Sequence, residues 1–452
     1  MSSALGIIGI ILAVAFLIYF AYKGINVILL GVISCLIIMV FNGMPVIKSV
    51  NKVMLPGVCT YITAMAGPTL MGCLIAAFYE TSGAARSVAD ALYRLFTISA
   101  RKRQRESGGS EPVMLSPLLS ILIVYAIGVT LSYGGLNPVV ILFILMPVAS
   151  DVFEKSGIPR SMLPGIVLGA LATASCSMPG TTSDQNIIAS QFLHTSAIAA
   201  PIPGFIGGAF VLALNITVMN HLAKKEIARG HLYTPQQREL KMTDDSRKPH
   251  WLISIIPMAS TIIGYNAFKW NILAALALNV VLCLVLFWRY LGGLNGFVKL
   301  LEPVPMQFAQ LVLQVGILGS IGAVASASPA FPVLTHGLLH SSFPGLYKVV
   351  IVISIITGVG GSGPAGLTAS LPYMKKTFAQ MGISMNALHR VAVFSSQTLD
   401  TLPTNPGYII STGIAEVSIK ESYKYVFIST VLNTAITAFL VATLLTIFPG
   451  WA

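Results

Sequence analysis

Two carboxylates stand inside apolar sequence that is otherwise almost free of charge. Asp400 lies in SQTLDTLPTNPG and Asp184 in PGTTSDQN, each close to a proline that interrupts a helix-forming run. Buried carboxylates of this kind are suited to binding a proton or another cation. Asp400 is the main candidate for ion coupling, and a structural carboxylate bonded to neighbouring backbone or paired with Arg390 is the alternative. For Asp184, capping of a half-helix that begins near Asn186 is favoured over ion coupling.

Small and polar residues surround the same interruptions and could bind a small anion. A helix that begins inside a membrane protein presents free N–H groups and the positive end of its dipole. Irregular backbone at that depth is tolerated only where protein or a water-filled cavity satisfies it. The residues predicted to bind substrate are Gly134, Gly135, Asn137, Thr181, Gln185, Asn186, Gly361, Ser362, Gly363, Thr404 and Asn405.

The interruptions come in pairs, one in each half of the chain. SYGGLNP around Gly134 recurs as GVGGSGP around Gly360, an offset of 226 residues in a chain of 452. SMPGTTSDQN around Pro179 recurs as TLPTNPG around Pro403. One glycine pair alone would be explained by helix packing. Paired interruptions in two apolar halves instead indicate the binding site of a secondary transporter.

The composition is that of a membrane protein. Hydrophobic residues make up 55% of the chain and charged residues 9%, far from the average of soluble domains. A spanning helix needs roughly 20 apolar residues, so ten spans and two half-depth hairpins would use this apolar content. The apolar stretch 4–22 lacks a basic start and a clear cleavage site, which predicts a retained helix.

The net charge of +12 is concentrated in short loops. Twelve of the 27 Lys and Arg residues lie between Arg94 and Arg105 or between Lys224 and Lys248. Short basic loops between apolar spans face the cytoplasm, which predicts both termini outside. Because orientation explains these loops, nucleic acid is not an expected partner. We expect a multi-pass protein of the bacterial cytoplasmic (inner) membrane.

These segments predict an all-α polytopic membrane protein made of two inverted repeats. Each repeat contains about five transmembrane helices, one re-entrant hairpin and one broken helix, and an odd number of crossings inverts the second copy. The predicted ranges are 1–222 for the N-terminal repeat (hairpin about 116–150, broken helix 162–199), 223–250 for a cytoplasmic basic linker, and 251–452 for the C-terminal repeat (hairpin about 347–380, broken helix 388–416).

Other chemistries find little support. The GxGxxG match that begins at Gly358 lacks a strand–turn–helix unit, and no P-loop, HExxH or CxxC pattern occurs, so we expect no cofactor and no metal site. An intramembrane serine hydrolase is one alternative, with Ser362 in GSG as nucleophile and His389 as base. His389 is otherwise predicted to lie near the membrane edge as an interfacial histidine.

Several stretches together resemble the gluconate permease (GntP) family of the ion-transporter superfamily. They cover most of the chain: ETSGAARSVADAL at 80–92, SGIPRSMLPGIVLGAL at 156–171, PGTTSDQNIIASQF at 179–192, ITGVGGSGPAGLTASL at 356–371, ALHRVAVFSS at 387–396, LDTLPTNPG at 399–407 and KESYK at 420–424. The resemblance implies a cation-coupled, usually proton-coupled, carrier of small hydroxylated organic anions. It also implies a scaffold and a moving transport part, often in a homodimer.

The chain departs from the family pattern at both breaks. Thr182 stands where a GTPxxQN form has proline, and the histidine–proline-rich form typical of gluconate-type members is absent. A hydroxybutyrate-like acid therefore fits at least as well as gluconate. Thr404 stands where the family usually has histidine, so sodium rivals the proton as coupling ion.

The sequence thus predicts a carrier rather than an enzyme. It would import a small hydroxy- or oxo-carboxylate in symport with a proton or a sodium ion. An anion channel or uniporter that uses the same cavity is the second alternative. The expected partners are the organic anion and membrane lipid, with a homodimer expected by analogy to the superfamily.

Overall fold

The fold is helical throughout the part of the chain that can be described. The structure is a computed structural model that describes residues 3–23, 25–84, 87–88, 91, 94–95, 98, 115–133, 138–234, 248–333, 345–360, 362–403 and 405–452. Every regular element in these ranges is a helix. The predicted class, an all-α polytopic membrane protein, is confirmed, whereas the inversion of the two repeats stays a prediction.

The helices of the first half follow from long uncharged runs of Leu, Ile, Val and Ala, punctuated by glycine and proline. A short π-helical turn at Val50–Met54 joins the third helix to the fourth. The elements are α1 (Ser3–Tyr22), α2 (Val27–Phe41), α3 (Val46–Ser49), α4 (Leu55–Ser82), α5 (Pro117–Tyr133), α6 (Pro138–Glu154), α7 (Leu163–Leu171), α8 (Ala174–Ser177), α9 (Asp184–Leu193) and α10 (Pro201–Ala228).

The second half has helices of similar order and length. Helices α9 and α18 both contain 10 residues, for example. A π-helical turn at Phe427–Leu432 joins the last two helices into one rod. The elements are α11 (Trp251–Asn266), α12 (Ile272–Phe287), α13 (Gly293–Leu301), α14 (Val304–Ala327), α15 (Gly345–Gly360), α16 (Gly363–Gln380), α17 (Met385–Ser395), α18 (Pro406–Ala415), α19 (Ile419–Val426) and α20 (Asn433–Ile447).

Within the described residues, three helices are long and apolar enough to cross a membrane. They are Pro201–Ala228, Ile272–Tyr290 and Ile419–Ile447. The helices on either side of the second glycine-rich interruption, Gly345–Gly358 and Gly363–Pro372, are inclined to each other by 120°. Shorter apolar helices accompany these spans, and the count of five crossings in each half stays a prediction.

Helices of the two halves share one packed core. The larger hydrophobic cluster contains residues from Ile75 in α4 to Leu445 in α20. Side chains of the two predicted repeats therefore pack together in this cluster. Close helix contacts depend on small residues, as is usual in membranes. At Gly165 in α7, an added Cβ would lie 2.8 Å from the main-chain carbon of Tyr425 in α19. This contact brings the C-terminal half directly against the first broken helix.

Both broken helices restart inside this core with a side-chain cap. Residues 178–183 separate α8 from α9, and residues 396–405 separate α17 from α18. The hydroxyl of Ser183 accepts the N–H of Asn186 at 3.3 Å, and Oδ1 of Asn405 accepts the N–H of Tyr408 at 3.1 Å. Each cap satisfies a backbone donor that the preceding turn leaves unpaired. The two half-helices α9 and α18 are thereby fixed at their N-termini.

Candidate functional site

Asp400 holds the start of the second hairpin arm. Its Oδ1 accepts the N–H of Gly363, the first residue of α16, at 2.6 Å. The side chain of Asn405 donates to the Asp400 carbonyl at 3.1 Å and to Oδ1 at 3.4 Å. The residue is 8% exposed. A carboxylate is stabilised at a helix N-terminus, so Asp400 bonds to backbone and amide donors rather than to Arg390.

Asn186 is the centre of the first break. Its Nδ2 donates to the carbonyl of Met178 at 3.1 Å, to the hydroxyl of Thr181 and to that of Ser183 at 3.3 Å. Its Oδ1 accepts from Nη1 of Arg390 at 3.1 Å. One fully buried amide therefore closes the turn that precedes α9 and connects it to α17.

Arg390 is a fully buried cation surrounded by neutral acceptors. Its Nη1 donates to the Ser177 carbonyl at 2.6 Å as well as to Asn186. Its Nη2 donates to the carbonyls of Ala197 at 3.0 Å and Ala199 at 2.7 Å, and Nε donates to Ala199 at 2.9 Å. A guanidinium stays protonated in proteins. The two broken helices are thus joined by a fixed positive charge.

The side chain of His389 is fully buried in the protein. Its position near the membrane edge stays a prediction. Its Nε2 lies 3.2 Å from Oδ1 of Asn186 and its Nδ1 lies 2.6 Å from the hydroxyl of Thr195. Because the amide oxygen can only accept, Nε2 carries the proton and Nδ1 accepts from Thr195. Both ring nitrogens are engaged in holding the first break, which leaves neither as a base for Ser362.

Asp184 does not cap α9, contrary to the favoured prediction. The N-cap is Ser183, and Asp184 is the first residue of the helix itself. A carboxylate in the first turn still interacts favourably with the helix dipole. The sequence TSD offers three capping residues in succession, and the chain uses the second, Ser183.

The tip of the second hairpin lies between the two breaks. An added Cβ on Gly363 would be 2.9 Å from the carbonyl oxygen of Ser396 and 3.3 Å from Nε2 of Gln185. Gln185 belongs to the first turn of α9, and Ser396 begins the second break. The Gln185 side chain therefore extends from the first turn of α9 to Gly363, whose N–H is bonded to Asp400.

Replacement of Gly363 with Ala is expected to lower substrate uptake about tenfold or more without unfolding the protein. The new methyl group would press on the Ser396 carbonyl, and overpacking of this kind costs typically 1–3 kcal/mol. Uptake into proteoliposomes and the thermal transition of the purified protein measure the two effects. Gly413→Ala is the matched control, because nothing lies within 4 Å of its Cβ position. Equal uptake by both variants would show that the tip contact is irrelevant.

The remaining predicted site residues are placed as follows. Ser362 is buried and precedes α16, but its side chain makes no capping bond. At the first hairpin, the Tyr133 hydroxyl at the end of α5 donates to the Pro179 carbonyl at 2.9 Å, which brings that hairpin arm to the first break. Five predicted residues lie outside the described part of the chain: Gly134, Gly135, Asn137, Gly361 and Thr404.

Sequence reasoning missed two polar residues of this region. Arg390 was considered only as a partner of Asp400, although an arginine in an apolar helix is itself a signal of a functional or structural site. Gln397 was not singled out. It is 1% exposed, and neither atom of its amide has a hydrogen-bond partner among the described residues. Most buried side-chain amides in native proteins have a hydrogen-bond partner, either in the protein or in ordered water.

Comparisons with other proteins give relatives along nearly the whole chain. No family model matches. The chain is 24% identical over 476 aligned residues to a Bacillus subtilis (strain 168) protein named uncharacterized transporter YxjC, covering 94% of this chain and 96% of that protein. The crystal structure of the Alcanivorax borkumensis YdaH transporter matches with a TM-score of 0.50 at 14% identity, covering 87% of each chain. This likeness shows a shared fold, and the resemblance to the gluconate permease family stays a prediction.

Proposed function

We propose that this protein is a secondary carrier that moves a small organic anion together with a cation. One observation carries the proposal: the N-termini of α16 and α18 meet at the buried carboxylate of Asp400, and the side chain of Gln185 extends from the first turn of α9 to Gly363. Broken helices of this kind form substrate and ion sites in secondary transporters. The similarity to proteins named as transporters supports the same conclusion.

The proposed binding site of the anion is the first break. Arg390 places a fixed positive charge behind Asn186, and the N-terminus of α9 adds its dipole. Thr181, Gln185 and Asn186 can present hydroxyl and amide groups to a carboxylate or a substrate hydroxyl. A small hydroxy- or oxo-carboxylate, hydroxybutyrate-like or gluconate-like, is the proposed substrate class.

The proposed binding site of the cation is the second break. Asp400 supplies the negative charge, with the carbonyl oxygens and hydroxyls of residues 396–405 as further ligands. A proton or a sodium ion would bind here, in place of part of the bonding to Gly363 and Asn405. Because Gly363 begins α16, occupancy of Asp400 would change how firmly the hairpin tip is held.

Transport would follow from charge neutralisation. The cation binds at Asp400, the anion docks at the first break, and the part that contains the hairpins and broken helices then moves past the remaining helices. An unpaired charge that crosses the bilayer centre costs at least several kcal/mol. The pair therefore crosses more readily than either ion alone. We further propose a location in the bacterial cytoplasmic membrane and a homodimer by analogy.

Uptake of labelled small acids into proteoliposomes tests the proposal. The panel runs from acetoacetate and 3-hydroxybutyrate to gluconate and citrate, each with a proton gradient, a sodium gradient or neither. Uptake of an acid that follows one gradient supports a symporter and identifies its coupling ion. Movement that only dissipates a substrate gradient would indicate the channel or uniporter alternative.

Ser362→Ala separates the carrier from the intramembrane hydrolase. As a carrier residue at the hairpin tip, Ser362 would lose one hydrogen bond to substrate, worth about 0.5–1.5 kcal/mol, so affinity should fall about threefold to tenfold at most. As a nucleophile, its loss would abolish activity. Uptake titrations with the wild type and this variant measure the difference. Activity lost completely in a correctly folded variant would support the hydrolase.

A further inference from the structure

A second charged site lies away from the breaks, where α10 ends and α19 begins. Glu226 is 5% exposed at the end of α10, and the side chains of two cations and one histidine approach its carboxylate. The distances are 2.6 Å from Nδ1 of His231, 3.3 Å from Nζ of Lys424 and 3.4 Å from Nη1 of Arg229. One buried carboxylate thus gathers basic residues from both halves of the chain.

The basic residues of this cluster remain open to the surroundings. Arg229, His231 and Lys424 are 54%, 65% and 56% exposed. Arg229 has five N–H donors and Lys424 has three, so one bond to Glu226 leaves each with further donors. Lys224, Lys225 and Lys420 are exposed on the same two helix ends. The five Lys and Arg residues outnumber the acids Glu226, Glu416 and Glu421, which gives a local charge of +2 with histidine neutral.

The position of the cluster matches the headgroup level of a bilayer. It lies at one end of Pro201–Ala228 and at the start of Ile419–Ile447, two helices long and apolar enough to cross a membrane. Phe427, three residues beyond Lys424, is 41% exposed, and Leu232 next to His231 is 59% exposed. Lys424 and Phe427 are separated by a helical rise of about 4.5 Å, so one lipid can contact the basic group with its phosphate and the apolar side chain with its acyl chain.

We propose that Arg229, Lys424 and the neighbouring lysines bind the headgroup of an anionic phospholipid. Glu226 holds two of the cations in place, and the lipid phosphate accepts from their remaining donors. The acyl chain then lies along Phe427. Basic pockets between the ends of transmembrane helices bind anionic lipid headgroups by the same electrostatics. Because this cluster joins the end of α10 to the start of α19, the bound lipid would strengthen the contact between these two helices.

Native mass spectrometry of the purified full-length protein, titrated with phosphatidylglycerol or phosphatidylcholine, tests this site. The variant Lys224→Gln/Lys225→Gln/Arg229→Gln should bind phosphatidylglycerol roughly a hundredfold more weakly, since each basic residue near the surface contributes about fivefold. The matched control removes three exposed lysines elsewhere: Lys48→Gln/Lys52→Gln/Lys269→Gln. The control should bind as the wild type does. The double variant Lys224→Gln/Lys225→Gln keeps the contacts of Glu226 and should show about a 25-fold loss.

Three results would overturn the proposal. Equal binding of phosphatidylglycerol and phosphatidylcholine by the wild type would exclude an anionic site. Equal losses in the cluster variant and the control would show that only net charge matters. Binding of soluble glycerol phosphate as tightly as phosphatidylglycerol would indicate a site for a free phosphate compound and not a lipid. None of these results depends on whether the protein transports an acid.

Discussion

Replacement of Asp400 with Asn is expected to reduce cation-driven uptake by about a hundredfold or more while the protein stays folded. The Asn side chain can still accept the Gly363 N–H, so the hairpin tip keeps its contact. What disappears is the negative charge that would accompany the cation. An uncompensated charge at membrane depth costs at least about 2.5 kcal/mol. Each 1.36 kcal/mol added to the activation free energy of transport lowers the rate about tenfold.

The measurement is initial uptake into proteoliposomes under an imposed cation gradient. Glu302→Gln is the matched control, because it also removes one carboxylate charge but lies exposed at the end of α13. The control should transport at the wild-type rate. Unimpaired uptake by Asp400→Asn would remove Asp400 from the coupling mechanism.

Replacement of Arg390 with Gln is expected to destabilise the protein by about 2–6 kcal/mol, because two buried carbonyls would lose their hydrogen-bond donors. The guanidinium donates to the carbonyls of Ser177, Ala197 and Ala199. The carbonyls of Ser177 and Ala199 would lose these bonds, whereas that of Ala197 still accepts the N–H of Gly180 at 3.0 Å. Each buried acceptor left unsatisfied costs about 1–3 kcal/mol. Uptake should be lost with the fold, because the first break is held to α17 through this residue.

Thermal unfolding in detergent measures the effect. Arg289→Gln is the control, since Arg289 is exposed in the turn after α12 and the chemical change is identical. Arg390→Lys should lie between the wild type and Arg390→Gln, because lysine keeps the charge but has three donors instead of five. An Arg390→Gln protein as stable as the wild type would show that the hydrogen bonds from Arg390 to these carbonyls do not stabilise the fold.

The sequence was sufficient to locate Asp400 but not its partner. A carboxylate in an apolar run beside a proline is visible without a structure. Its hydrogen-bond donor, the N–H of Gly363, lies 37 residues earlier and is a main-chain group. Every residue type except proline supplies such a group, so no sequence pattern identifies it.

His389 and Arg390 show a second limit of sequence reasoning. The sequence predicted His389 near the membrane edge and considered Arg390 only as a partner of Asp400, but burial depends on what packs against each face of α17. Thr195, Asn186 and the carbonyls of Ala197 and Ala199 come from the other half of the chain. The contact therefore could not be predicted from periodicity. The arginine suggested an ion pair with a carboxylate, whereas backbone carbonyls satisfy it.

The helix boundary at Asp184 shows a smaller, local limit. Ser183 and Asp184 are both good capping residues. A shift of the helix start by one residue decides which of the two side chains faces the free N–H groups. Turn geometry at the preceding Met178 and Thr181 sets that shift through bonds to Asn186. The motif PGTTSDQN thus predicted the break itself but not the residue that caps it.

Accumulation against a concentration gradient decides whether this protein couples an anion to a cation. Proteoliposomes would contain the transported acid at the same concentration inside and outside, and a proton or sodium gradient would then be imposed. Coupled transport predicts that the internal concentration rises above the external one, and that Asp400→Asn abolishes the rise. An internal concentration that stays equal under both gradients, while labelled acid still exchanges, would contradict coupled transport and identify a uniporter or channel.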